Sequence, residues 1–156
     1  MLVKDVMNRK VITVSKNENL SQLVAKFRKH NFHTLPVINE SKKILGVISA
    51  EDIMKVFLPH NPALEKLLKS THLYDTEEED ILETYLPEGL GTTVKVSDIM
   101  NNNVVTIEDS KTIADVRKQM KLHNVQRVPV TRDKELVGFI TLFDIIIALF
   151  KERNII

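Results

Sequence analysis

The fold of this chain is decided by Gly138-Phe139-Ile140-Thr141-Leu142-Phe143-Asp144 and by its earlier counterpart, Gly46-Val47-Ile48-Ser49-Ala50-Glu51-Asp52. In both stretches a glycine precedes a short apolar run, and a hydroxyl residue is followed three positions later by aspartate. This pattern predicts a helix N-terminus after a strand, because the hydroxyl and the carboxylate can each satisfy one orphan amide. Each stretch is therefore predicted to join a strand to a helix.

The same arrangement also suits a ligand-binding site. A helix N-terminus offers unpaired N–H donors and the positive end of the helix dipole, which favour phosphate or another anion. A carboxylate beside them can accept both hydroxyls of a ribose. The residues alone leave two interpretations open: helix capping only, or capping combined with ligand binding.

The composition excludes several classes of protein and site. Among 156 residues, 22 are Lys or Arg and 21 are Asp or Glu, and the net charge of +1 argues against a general nucleic-acid binder. The absence of cysteine excludes disulfides, thiolate metal sites and a cysteine nucleophile. The length suits one ordinary domain or two very small ones, and 43% apolar residues suffice for a core.

No segment is predicted to target or cross a membrane. The N-terminus lacks the apolar segment of a signal peptide. The most apolar stretch, 136–150, is interrupted by Gly138 and Asp144 and is shorter than the roughly 20 residues that a span needs. We therefore expect a soluble, cytoplasmic protein with no membrane or nucleic-acid partner.

The chain contains an internal repeat, which is visible as an ordered set of matches at a nearly constant offset. The matched pairs include Val3 and Val96, Asp5 and Asp98, Met7 and Met100, His30 and His123, Pro36 and Pro129, and, after one residue is lost in a polar turn, Gly46 and Gly138, Asp52 and Asp144, Ile53 and Ile145. Two copies that are each too small to bury an apolar face are expected to pack together across a pseudo-twofold axis.

Each copy is predicted to fold as a βαββα unit, which gives an α/β (α+β) fold. Hydrophobic periodicity and capping residues place the elements. The predicted strands are 11–14, 35–38, 44–48, 128–131 and 136–140, and the predicted helices are 20–27, 51–57, 112–120 and 142–153. The predicted domains are 1–58 for the first repeat, 59–95 for a helical insert, and 96–156 for the second repeat with its C-terminal helix.

The insert and the tail suggest protein contacts. Helix starts at Pro62 and Asp75 predict a helical hairpin in 59–95 that ends near Pro87, Gly89 and Gly91. Two roles stay open for this hairpin: a structural cover, or a docking surface for a regulated partner. The tail 145–150 is apolar on too many sides for a solitary surface helix, and this predicts a homodimer.

Three duplicated motifs of the sequence resemble those of a known family. The duplicated Val-x-Asp-Val/Ile-Met opening, Leu/Val-Pro-Val strand and Gly-x-Ile-Ser/Thr-x-x-Asp ending resemble a pair of cystathionine-β-synthase (CBS) domains over residues 3–57 and 96–150. The resemblance implies a Bateman module, in which two repeats face each other around a central cleft. It implies a regulatory sensor of AMP, ADP or ATP, or else of S-adenosylmethionine or NAD, with no required metal.

The resemblance also implies site residues. Asp144 and Asp52 would hold ribose hydroxyls, and Thr141 and Ser49 would lie at the ribose or phosphate. The walls would be lined by Thr13, Thr34, Thr106 and Arg127, and adenine would lie against apolar side chains such as Ile140. Because Arg127 stands where the first copy has Thr34 and Glu51 adds a negative charge beside Asp52, the Asp144 site is expected to take the more highly charged nucleotide.

Other candidate chemistry is weaker. His30 and His33 have the spacing of a metal pair, but His30 recurs as His123, and each is followed by Asn, which suits the end of a helix. Neither a Gly-rich phosphate loop nor a nucleophile with a matching base is found in the sequence, so we expect no catalytic residues and no enzymatic activity. Two functions remain, a nucleotide sensor and a scaffold with the same fold and empty clefts.

Overall fold

Short strands and helices alternate along the chain in a computed structural model, which describes residues 1–30, 34–56 and 89–156. These residues belong to two compact units. The first unit comprises Met1–Lys16, Leu35–Val47 and Asn101–Ile156, and the second comprises Asn17–Thr34 and Ile48–Met100. Each unit draws on both halves of the sequence, and the domain boundaries at 58/59 and 95/96 stay predictions.

The described elements follow one another in two similar series. Before the insert they are α1 (Val3–Val6), β1 (Val14–Ser15), α2 (Leu20–His30), β2 (Thr34–Ile38), β3 (Ile44–Ser49) and α3 (Ala50–Met54). From residue 89 they are α4 (Leu90–Thr93), α5 (Val96–Ile99), β4 (Ile107–Glu108), α6 (Ile113–His123), β5 (Arg127–Arg132), β6 (Glu135–Thr141) and α7 (Leu142–Glu152). The mixed α/β (α+β) class predicted from the sequence is confirmed.

The strands form three-stranded sheets in the orders β1-β2-β3 and β4-β5-β6. In each sheet the first two strands are parallel, and a helix, α2 or α6, connects them as a parallel crossover requires. Strand β6 returns antiparallel to β5. The register sets Arg127 opposite Thr141 and Val128 opposite Ile140.

The opening segment of each copy forms backbone hydrogen bonds with the last strand of the other copy. Asn8, which follows α1, forms two hydrogen bonds with Phe139 in β6, at 2.7 and 2.9 Å. Its repeat counterpart Asn101 follows α5 and forms two with Val47 in β3, at 3.0 and 2.8 Å. Each opening segment thus extends the sheet of the other copy, an exchange that the sequence analysis did not predict.

Gly138 allows one of these exchanges. A Cβ at this position would lie 2.8 Å from the Asn8 carbonyl oxygen and 2.8 Å from the Met7 sulfur. Contacts this short do not occur at real Cβ atoms, so only glycine lets the opening segment approach β6.

The core of the first unit lies between its sheet and its helices. Val3, Val116, Val128 and Ile140 are fully buried there. In the second unit, α2 begins beside the segment before α5, since the Leu20 amide donates to the Val94 carbonyl at 2.8 Å. Leu20 and Leu23 on the inner side of α2 are buried, whereas Val24 on the same helix is 46% exposed.

Several predicted elements differ from the structure. Residues 11–13 are not in a strand, because β1 pairs with β2 only at Val14 and Ser15. The expected break near Gly91 is instead the helix α4, and glycine fits there because a Cβ would lie 2.0 Å from the Ser21 hydroxyl oxygen. The helices α1 and α5 were missed, since each spans a single turn. The predicted insert helices lie outside the described residues.

The predicted helix ending is confirmed at Asn124. Helix α6 ends at His123, and Asn124 follows in the left-handed conformation with φ 52°. In the first copy α2 ends at His30. The remainder of that prediction, including His33, falls outside the described residues.

Candidate functional site

Asp144 lies at the start of α7 in the predicted cap. Its Oδ2 accepts hydrogen bonds from the Thr141 amide at 2.8 Å and from the Thr141 hydroxyl at 2.7 Å. In return the Asp144 amide donates to the Thr141 hydroxyl oxygen at 3.1 Å. All the hydrogen bonds that the described residues make to this half-buried carboxylate involve Oδ2, so Oδ1 keeps its capacity to accept.

Arg127 lies on the same face of the sheet as Thr141. The two residues are directly opposite in the β5–β6 pair, so their side chains point to one side. The guanidinium carbon is 4.4 Å from the ring centre of Phe139, two residues before Thr141 on β6, and this contact fixes the cation over the sheet. Burial lowers the pKa of Arg127 from its ordinary value, and attraction to Asp144 opposes that shift. The group keeps its positive charge because arginine does not deprotonate in proteins.

Thr106 lies on the neighbouring strand segment of this sheet. It directly precedes β4, and β4 runs parallel to β5, which begins at Arg127. Strand β6 is antiparallel and ends with Thr141 where β5 begins. Three of the predicted site residues, Arg127, Thr141 and Asp144, therefore lie at this end of the second sheet, and Thr106 lies further along β5, because Ile107 is opposite Val130.

Ile140 has a different environment. Its neighbours on β6, Phe139 and Thr141, face Arg127, and alternation along the strand turns Ile140 to the opposite face. There it is fully buried in the core beside Val128. Ile140 thus lies on the face of the sheet opposite Arg127, and its predicted contact with adenine is left to experiment.

Asp52 starts α3 with the same cap. Its Oδ2 accepts from the Ser49 amide at 2.8 Å and from the Ser49 hydroxyl at 3.0 Å, and the Asp52 amide donates to the Ser49 hydroxyl oxygen at 3.3 Å. One further contact distinguishes this site, because Lys55 Nζ lies 3.3 Å from Asp52 Oδ1. Thr34, the predicted wall residue of this copy, is half-buried at the start of β2.

Thr13 lies in another cavity of the first unit. This cavity has a volume of about 200 Å³ and is lined by Arg9, Val11, Thr13, Ile38, Lys42, Leu136 and Val137. Neither Thr141 nor Asp144 contributes to its lining. The ligand role of Thr13 stays a prediction.

The cap alone does not identify a ligand site. Thr112 and Asp115 form the same reciprocal hydrogen bonds at the start of α6, at 2.8 to 3.1 Å. These bonds from Thr112 lower the pKa of Asp115 from its ordinary value. Asp115 also has cations nearby, since Lys111 and Lys118 help to lower its pKa, but Asp144 differs in that its cation is the half-buried guanidinium of Arg127 on strand β5.

An apolar groove lies between α6 and α7 in the first unit. It has a volume of about 710 Å³, and its apolar lining comes from Met1, Ile113, Leu142, Ile145, Ile146 and Leu149. Next to it, Phe143 is 67% exposed and Phe150 is 43% exposed. The apolar tail 145–150 predicts such an exposed apolar surface.

Two features are not found among the described residues, a metal cluster and a membrane-spanning helix. Residues 1–30, 34–56 and 89–156 contain no group of three or more His, Cys, Asp and Glu side chains that could hold a metal ion. Over the same residues, none of the helices combines the length and apolar character that a membrane span requires.

Comparisons with known proteins agree with this architecture. The CBS domain family matches at residues 3–59 and again at 96–151. The uncharacterized protein MJ1426 of Methanocaldococcus jannaschii is 35% identical over 159 residues, which cover 96% of this chain and 91% of that protein.

Solved structures show the same fold. The CBS domain pair of protein MJ0100, in complex with 5′-methylthioadenosine and S-adenosyl-L-methionine, is 25% identical with a TM-score of 0.63, covering 96% of this chain and 99% of that one. CBSX2 in complex with AMP is 18% identical with a TM-score of 0.69, covering 97% and 98%. The chain belongs to the CBS domain family.

Proposed function

We propose that this protein is a regulatory module that binds an adenosyl ligand, with the ribose on Asp144 and a 5′-phosphate on Arg127. The observation that carries the proposal is the accepting Oδ1 of Asp144 beside a fixed cation. The two hydroxyls of a ribose are donors that a carboxylate can accept together, and guanidinium suits phosphate. The ligands of MJ0100 and CBSX2 all contain adenosine, which supports this ligand class.

The charge of the site favours an adenine nucleotide over S-adenosylmethionine. Arg127 attracts the phosphates of AMP, ADP or ATP, whereas it repels a sulfonium cation. NAD has phosphates as well and remains in the ligand set. A ligand screen by thermal shift ranks these compounds, because each one stabilises the folded state according to its concentration relative to its Kd.

The mechanism that we propose is a population shift rather than catalysis. A ligand that binds one arrangement of the module more tightly than another raises the population of that arrangement, and a regulated protein reads the change. We propose no enzymatic step. The docking role of the insert 59–95 stays a prediction, because most of the insert lies outside the described residues. The cytoplasmic location is also a prediction.

The decisive experiment compares two caps of the same geometry. Asp144→Asn is expected to lower AMP affinity roughly tenfold or more in calorimetric titration, because hydrogen bonds to a charged group contribute about 1.5–3 kcal/mol. Asp115→Asn changes a matched cap at the start of α6 and is expected to leave AMP affinity unchanged. Equal AMP affinity in both variants would contradict the proposal.

The second candidate function is a scaffold whose clefts stay empty. The cap at Thr112 and Asp115 favours it, because the same hydrogen bonds form there at a helix start for which no ligand role is proposed. A scaffold predicts that Asp144→Asn lowers the melting temperature by the same amount with and without AMP. A sensor predicts a larger loss in the presence of AMP.

We also propose that the partner of the α7 surface is a second copy of this chain. Exposed rings at Phe143 and Phe150 lie beside an apolar groove on the same unit, and a ring and a groove on one surface can complement each other in a twofold interface. Light scattering is expected to give the mass of a dimer. Phe150→Glu should give a monomer, whereas Leu122→Glu, at a 74% exposed position on α6, should not. A wild-type monomer would refute the dimer.

A further inference from the structure

We infer that Lys55 determines which of the two aspartates binds ligand first, by competing with ribose for Asp52. This inference rests on the proposed function, in which the aspartates accept ribose hydroxyls. It concerns the Asp52 site, which neither the cap pattern nor the family assignment distinguishes from the Asp144 site. The consequence is an ordered sensor, in which the Asp144 site fills at a lower ligand concentration than the Asp52 site.

The geometry of Asp52 supports the competition. The cap uses Oδ2, to which the Ser49 amide and hydroxyl both donate. Lys55 lies one residue beyond the end of α3 and brings its Nζ to 3.3 Å from the other oxygen, Oδ1. The Asp52 side chain is 10% exposed and the Lys55 side chain is 71% exposed, so the ammonium covers the carboxylate from the solvent side.

The second copy lacks this contact. Since Asp52 matches Asp144 and Ile53 matches Ile145, the residue that corresponds to Lys55 is Ile147. Isoleucine carries no donor, and Ile147 is half-buried in α7. The Oδ1 of Asp144 is therefore not occupied by a side chain of its own helix, although the two caps are otherwise the same.

The size of the effect follows from the exposure of the pair. A ribose hydroxyl that donates to Asp52 Oδ1 must displace the ammonium or share the oxygen with it. An ion pair with one partner largely in solvent shifts an equilibrium only modestly, by roughly twofold to fivefold. Lys55 therefore lowers affinity without closing the site.

A phosphate on the ligand would oppose the expected change in affinity, because the Lys55 ammonium would attract the phosphate. Adenosine is the suitable probe, since it has the ribose and the base but no charge. With this ligand the ribose contact is measured alone, and a gain on removing Lys55 reports competition at Asp52.

The test is a titration of the whole chain with adenosine, followed by backbone amide resonances in two-dimensional NMR. The Ser49 amide reports the Asp52 site and the Thr141 amide reports the Asp144 site, because each amide donates to the carboxylate of its own site. In the wild type, Thr141 is expected to shift at a lower adenosine concentration than Ser49. Lys55→Met should lower the Kd read at Ser49 by roughly twofold to fivefold and leave the Kd read at Thr141 unchanged.

A reciprocal variant provides the matched control. Ile147→Lys places an ammonium at the equivalent position of α7 and should raise the Kd read at Thr141, whereas Ile147→Met changes the side chain without adding charge and should not. Salt gives a second readout. Screening weakens exposed pairs, so the wild-type Kd at Ser49 should fall as ionic strength rises, and the Kd of Lys55→Met should not.

Each outcome decides the inference. If the Kd read at the Ser49 amide in Lys55→Met equals or exceeds the wild-type Kd, or if this amide does not respond to adenosine in that variant, the inference is wrong. If Thr141 still responds and Asp144→Asn abolishes that response, the proposed function survives such a failure. If neither amide responds to adenosine in any variant, the inference is wrong, and a titration with AMP then decides the proposed function, which is wrong if AMP gives no response either.

Discussion

Replacing Gly138 by alanine tests the exchanged pairing on which the first unit depends. The new Cβ would lie 2.8 Å from the Asn8 carbonyl oxygen and 2.8 Å from the Met7 sulfur. The methionine can rotate away, but the carbonyl belongs to backbone that is itself paired with Phe139. Relief therefore requires the opening segment to move away from β6.

The expected cost combines two effects. Overpacking a close contact costs about 1–3 kcal/mol, and weakening the two Asn8–Phe139 hydrogen bonds adds about 0.5–1.5 kcal/mol for each bond. We expect Gly138→Ala to lower the free energy of unfolding by about 3 kcal/mol. For a chain of this size the melting temperature should then fall by roughly 6–12 °C.

Urea denaturation followed by circular dichroism measures this loss, and Gly91→Ala is the matched control. Its Cβ would meet the Ser21 hydroxyl at 2.0 Å, which Ser21→Ala removes. The double variant should therefore recover most of the lost stability, although the Cβ of residue 21 still lies 3.3 Å away, whereas Met7→Ala should not rescue Gly138→Ala. A loss below about 1 kcal/mol for Gly138→Ala, or full rescue by Met7→Ala, would refute the assignment to the backbone contact.

Three further predictions concern the site and its support. Arg127→Met should weaken AMP roughly tenfold by calorimetry and leave adenosine unchanged, because the guanidinium binds only the phosphate, and an equal loss for both ligands would contradict this. Thr112→Val should raise the pKa of Asp115 part of the way towards its ordinary value of 3.8, as read from carboxyl resonances, because the larger cause, the backbone hydrogen bond from residue 112, remains and only the hydroxyl hydrogen bond is lost. Because that folded-state pKa is depressed, the wild-type cap stabilises the fold above the unfolded pKa and loses this contribution as pH falls through the folded pKa; a pKa unaffected by the substitution would exclude this cause. Ile140→Ala should cost about 2–5 kcal/mol of stability in urea titrations, yet leave AMP affinity within about twofold at a temperature where the variant is folded, and a selective loss of affinity would instead place Ile140 in the site.

The sequence by itself determined the features that depend on residues three or four apart. The caps at Ser49, Thr112 and Thr141 follow from a hydroxyl and an acid at fixed spacing, because their hydrogen bonds close within one helical turn. The duplication likewise predicted the larger strands and helices of each copy, although it missed the single-turn helices α1 and α5, and the duplicated motifs pointed to the CBS domain family.

Only the tertiary structure decided which of these local features meet. The exchange between Asn8 and Phe139 joins residues far apart in sequence, and no local pattern encodes it. The register of β5 and β6 sets Arg127 beside Thr141 and turns Ile140 into the core, because successive side chains on a strand alternate between faces. The spacing of Lys55 from Asp52 is visible in the sequence, but only folding shows that its ammonium lies at the carboxylate oxygen that the cap leaves available.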